Sequence, residues 1–129
     1  MNNEQTITLM DREVRVRYCA ATETTFEELT GKSIEIFLPT FGEDETGNSI
    51  ITEQPKAKRQ DFLTLGIAGI LAAYLREKQD PPITTEEILY EASPTDVVSL
   101  ITTILQLRND WYAIAIPEPE EQGRKKAKN

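Results

Sequence analysis

Histidine is absent from this chain of 129 residues, and cysteine occurs once, at Cys19. These absences remove Ser-His-Asp and Cys-His nucleophiles, H-E-x-x-H metal helices and cysteine-rich zinc sites, each of which needs imidazole or several thiolates. A single thiol cannot close a disulfide within the chain, which fits a reducing compartment. Phosphate cradles are missing too, with no G-x-x-x-x-G-K-[ST] run and no G-x-G-x-x-G after a strand.

No hydrophobic run is long enough to span a bilayer. The longest, Phe62 to Leu75, is interrupted by Thr64; as a helix it covers about 21 Å, against a hydrocarbon core of about 30 Å. The opening MNNEQTITLMDRE has no basic segment followed by an apolar one, so a cytosolic protein with no membrane contact is expected. Positive charge is scarce. Residues 117–129 hold four basic and three acidic residues, leaving ten basic against nineteen acidic in 1–116, for a net charge of −8 overall. A body of that sign repels phosphate backbones, and the densest basic run is RKKAK at 124–128, in the tail, so nucleic acid is not an expected partner.

What is present predicts one α+β domain over 1–116 and a disordered charged tail over 117–129. Gln5–Met10 and Glu13–Ala20 alternate apolar and polar residues around Asp11-Arg12, as two half-buried strands do, with Arg15 and Arg17 on a solvated face. Thr25 and Glu28 have capping-box spacing for a short turn of helix ending at Gly31. Ser33–Leu38 alternates again and stops at Pro39, predicting a third strand, and Ser49–Thr52 a fourth beyond the turn-rich GEDETGN. This small antiparallel sheet over residues 1–53 needs a covering layer.

Residues 60–112 supply it as a three-helix unit, long, short and long. The first helix opens near Arg59–Asp61, is apolar nearly all round, and is expected to end before Pro81. Gly66 and Gly69 each cost about 1 kcal/mol of helix propensity, which close approach of a neighbour would offset. Thr84 and Glu87 cap a short helix over Glu86–Ala92, and Ser93-Pro94 opens the last one. On that helix Val97, Val98, Leu100, Ile101, Ile104, Leu105, Leu107, Trp111 and Tyr112 share one half of the wheel, and Arg108 falls inside their arc.

Candidate chemistry is thin. Glu43-Asp44-Glu45 lacks the spacing of a calcium loop and reads as a solvated turn, and Cys19 as a small packing residue, so no catalytic, cofactor or metal site is expected. Arg108 either snorkels from the apolar arc or pairs with a carboxylate such as Asp61, Glu87 or Glu91, or with one from another chain, fixing helix register. The surplus of apolar helix surface points to a protein partner or self-association.

In the order of its elements the chain resembles the tail assembly chaperones of long-tailed phages and prophages. The resemblance covers residues 61–112: the apolar helix, IT-x-EEI at Ile83–Ile88, and S-P-x-D-V at Ser93–Val97 opening a helix that ends in Trp111. It implies a non-enzymatic protein of the bacterial host cytosol that binds the helical tape-measure protein, and with it the tail-tube protein, during assembly. The partner contacts expected on that basis are Phe62, Ile67, Ile70, Leu71, Tyr74, Arg108, Trp111 and Tyr112. A structural or adaptor protein of a phage particle, and a protein-interaction regulator acting through the basic tail, are the alternatives.

Overall fold

A computed structural model of the chain describes residues 3–115. The expected charged tail lies outside the described residues. The architecture is α+β, with strands β1 (Glu4–Leu9), β2 (Arg12–Arg17), β3 (Thr40–Glu43) and β4 (Ser49–Glu53), and helices α1 (Ala20–Thr30), α2 (Arg59–Leu75), α3 (Thr85–Glu91) and α4 (Pro94–Ala115).

The strands form two separate antiparallel hairpins and not one sheet of four. In the first, Ile7 faces Val14 and Gln5 faces Val16, and Leu9, Val14 and Val16 are buried against the helices. Its turn places Met10 and Asp11 at φ of 50° and 64°. This is the positive-φ pair that matches the strand twist. The turn is tied down where the Met10 N–H donates to Asp96 Oδ1 of α4 at 3.3 Å.

The predicted third strand, Ser33–Leu38, is instead a 3-10 turn over Ile34–Phe37. The Ser33 hydroxyl accepts from the Glu35 N–H at 3.1 Å and starts the turn. Three-residue periodicity then puts Ile34 and Phe37 on one side, and Phe37 becomes the buried residue while Leu38 stays exposed. A strand does follow, at Thr40–Glu43, where none was predicted.

Helix α1 is also longer than its sequence suggested. It starts at Ala20, inside the residues read as the end of the second strand, so Thr25 and Glu28 lie within it and not at its head. Buried Thr22 organises this start: its hydroxyl accepts from the Cys19 N–H at 3.1 Å and donates to the Arg17 carbonyl at 2.8 Å. Gly31, at φ 72°, ends the helix as expected, its N–H donating to Glu27 O at 2.8 Å.

Helix α2 is the centre of the molecule, with α1, β2 and α4 all packed on it, which is why its sequence is apolar on every side. It ends at Leu75, well before Pro81, because Lys78 turns left-handed at φ 58° and the N–H groups of Glu77 and Gln79 fold back onto Tyr74 O. Its glycines mark close approach. A Cβ on Gly66 would lie 2.6 Å from Leu100 Cγ, and one on Gly69 2.6 Å from Ile104 Cδ1 and 3.1 Å from the Arg17 carbonyl oxygen. At its N-terminus buried Asp61 accepts from the Lys58 N–H at 2.8 Å and from Lys32 Nζ at 2.9 Å.

Arg15 and Arg17 are not a solvated face. Arg15 stacks on the Tyr74 ring at 4.4 Å and pairs with Glu77 at 2.7 Å and Glu4 at 3.5 Å, while Arg17 pairs with Glu4 at 3.3 Å. The Tyr74 hydroxyl accepts from the Arg15 backbone N–H at 3.1 Å. α2 thereby covers a donor on β2 that β1 does not use.

Candidate partner-binding surfaces

The eight residues singled out for partner contact fall into two groups. Ile67, Ile70 and Tyr74 are at most 8% exposed and belong to the core, so the folded chain does not present them to another protein. Phe62, Leu71, Arg108, Trp111 and Tyr112 are part-buried.

Four of these join an aromatic cluster that fastens the end of α4 to α1 and to the 3-10 turn. Phe26 packs on Phe37 and Phe37 on Phe62, each with ring centres 5.1 Å apart. Tyr18 lies 5.4 Å from Trp111 and 6.3 Å from Tyr112. The hydroxyls of Tyr18 and Tyr112 both donate to Glu23 Oε2 of α1. Burial, and then the hydrogen bond to that carboxylate, raises both phenols, Tyr112 being pushed up to about 12. Both stay neutral donors at any ordinary pH.

Arg108 bridges the two halves of the cluster, 5.1 Å above the Tyr112 ring and 5.8 Å from Phe37. The carboxylates offered as its partners are engaged elsewhere or apart: Asp61 with Lys32, Glu87 with Arg12 at 3.0 Å, and Glu91 exposed. Its Nε is buried without a hydrogen-bond partner among the described residues. The guanidinium is held by ring faces and not by an ion pair with any of these carboxylates.

Cys19 sits at the start of α1, half-buried. Burial works to raise its thiol, but hydrogen bonds from the Thr22 and Ala21 backbone and the Thr22 hydroxyl outweigh it, and the net shift is downward. Glu43-Asp44-Glu45 is the hairpin turn expected of it. Asp44 Oδ1 accepts from Thr46 N–H at 2.8 Å, Thr46 Oγ1 at 2.7 Å and Asn48 N–H at 2.9 Å, so that carboxylate is spent within its own loop.

The accessible apolar surface lies elsewhere. One part is the β3–β4 hairpin, where Phe41 is 62% exposed and Ile50, Ile51 and Leu38 are exposed with it. Adjacent isoleucines on a strand point to opposite faces, so the Ile50-Ile51 pair carried a readable signal that both faces of this hairpin are apolar. The other part is helical. Leu89 and Tyr90 of α3 and Val98 of α4 are exposed, and a cleft of about 270 Å³ opens between α2 and α4, lined by Arg59, Gln60, Leu63 and Val97. Small-molecule sites enclose roughly 300–1,000 Å³ with several converging polar groups. This cleft has the size of a side-chain socket.

Comparison with protein-family models, with curated proteins and with solved structures finds no match for the chain. Among the described residues no group of three or more metal-ligating side chains converges, and no helix is long and apolar enough to cross a membrane.

Proposed function

We propose that this chain is a non-enzymatic protein-binding module that receives an amphipathic helix of its partner. The observation that carries this reading is the α2–α4 cleft, with Leu63 and Val97 in its wall, Val98 exposed one residue along, and Arg59 and Gln60 at its rim. Apolar walls between two helices accept large side chains spaced at i, i+3 and i+4 on a third, and polar rims orient it. Helical surface left uncovered on α3 extends what such a partner meets.

The particular role that fits this module is that of a phage or prophage tail assembly chaperone, holding the tape-measure protein in solution while the tail tube forms. Support comes from the resemblance over residues 61–112 together with the acidic body, which keeps a sticky complex soluble. A tape-measure gene beside this one, and co-expression with its product, test the role. The expected result is a soluble complex that is lost in Leu63→Glu and Val97→Glu while both variants retain the parent helical spectrum. Aggregation of the tape-measure protein irrespective of this chain overturns the role.

A further inference from the structure

The two hairpins of this molecule are treated differently by the rest of the chain. The β1–β2 hairpin buries one face on the helices, and Tyr74 takes the outward Arg15 N–H at 3.1 Å. The β3–β4 hairpin has neither protection. Every residue of β4 is exposed, and among the described residues neither strand pairs with any strand but the other. An isolated two-stranded hairpin is marginal in water. Soluble proteins usually blunt such edges with lysine, proline or a covering element. β4 reads Ser-Ile-Ile-Thr-Glu, with none of these.

We propose that β4 pairs antiparallel with β4 of a second copy of this chain about a twofold axis, making one four-stranded sheet. The charge layout of the arm selects a second copy as the occupant. Its tip carries Glu43 and Glu45, both exposed, and its base carries one acid, Glu53, against three cations, Lys56, Lys58 and Arg59, none of these three in a salt bridge among the described residues. Antiparallel pairing lays the acidic tip of each copy beside the basic base of the other, twice over, as an isologous contact requires. A register centred on Ile51 sets Ile51 against itself across the axis and Ser49 opposite Glu53. Because Phe41 faces Ile51 within each hairpin, the row Phe41, Ile51, Ile51, Phe41 then runs unbroken across the sheet. A contact of one strand pair is small, so the dimer is weak, with Kd on the order of 10–1000 µM. This inference does not rest on the chaperone reading.

Sedimentation of the full chain over a concentration series under reducing conditions tests it. The expected result is a rise from 14.6 kDa toward twice that mass, lost in Ile51→Lys. The paired variants Lys56→Glu/Lys58→Glu and Glu43→Lys/Glu45→Lys should each dimerise at least tenfold more weakly than the parent, and their mixture should restore a heterodimer. All of these substitutions lie outside the buried core, and an unchanged helical spectrum verifies each fold. A monomer at every concentration, leaving the edge to some other protein, overturns the proposal. So does a dimer indifferent to Ile51→Lys, or charge variants whose mixture dimerises no better than either alone.

Discussion

At the scale of single residues, the glycines and the arginine of the apolar arc carry the clearest consequences. Gly69→Ala gains about 1 kcal/mol of helix propensity but drives a methyl against Ile104 and against the backbone oxygen of Arg17, which cannot rotate away. The net expected change is a loss of about 1–3 kcal/mol in urea denaturation. Gly66→Ala meets only the Leu100 side chain and loses less. Arg108→Met should hold stability within about 1 kcal/mol, since it removes a buried nitrogen with no acceptor while keeping apolar contact with Phe37 and Tyr112. A loss of several kcal/mol would instead reveal an ion pair absent among the described residues.

At the scale of elements, charge ties the first hairpin to the helices. Arg12 donates to both oxygens of Glu87, at 3.0 and 3.1 Å, and to the Pro82 carbonyl at 3.0 Å, linking β2 to the head of α3. The Arg12 guanidinium, then the Thr84 N–H, hold the Glu87 carboxyl down to about 2. The unfolded chain protonates near 4.3. The folded state therefore binds that proton less readily, and the stabilisation is complete above about pH 5 and fades as pH falls toward 2. Thermal midpoints measured across this range should fall more steeply for the parent than for Glu87→Gln, whose amide keeps the capping contact but not the charge. The second hairpin should behave oppositely. Replacing 41–52 by a short glycine-asparagine link should move the midpoint of dilute protein by no more than about 4 °C, because no residue of β3 or β4 is buried.

At the scale of the whole molecule, a strongly acidic body coexists with apolar side chains that nothing among the described residues covers. Net repulsion keeps such molecules apart at neutral pH and vanishes near the isoelectric point of about 4.6. Turbidity against pH should peak there, and Phe41→Ser with Ile51→Lys should flatten the peak without altering the fold.

Local signals wrote much of this architecture into the sequence. The alternation around Asp11-Arg12, the apolar length of α2, the Thr84–Glu87 box and the Ser93-Pro94 start are each settled within a few residues, and each element stands near where its pattern placed it, although the first turn falls one residue early, at Met10-Asp11, and β2 ends at Arg17 and not at Ala20. Long-range packing made the remaining choices. Phe37 could enter the aromatic cluster only if Ser33–Leu38 coiled into a 3-10 turn, and Thr22 could tie Cys19 to Arg17 only if α1 began early. Ile67, Ile70 and Tyr74 look as apolar in sequence as any surface-seeking helix face, and only the presence of neighbours on every side of α2 puts them inside. Whether an apolar residue is core or interface depends on what lies across from it. That property belongs to the folded arrangement and not to the residue.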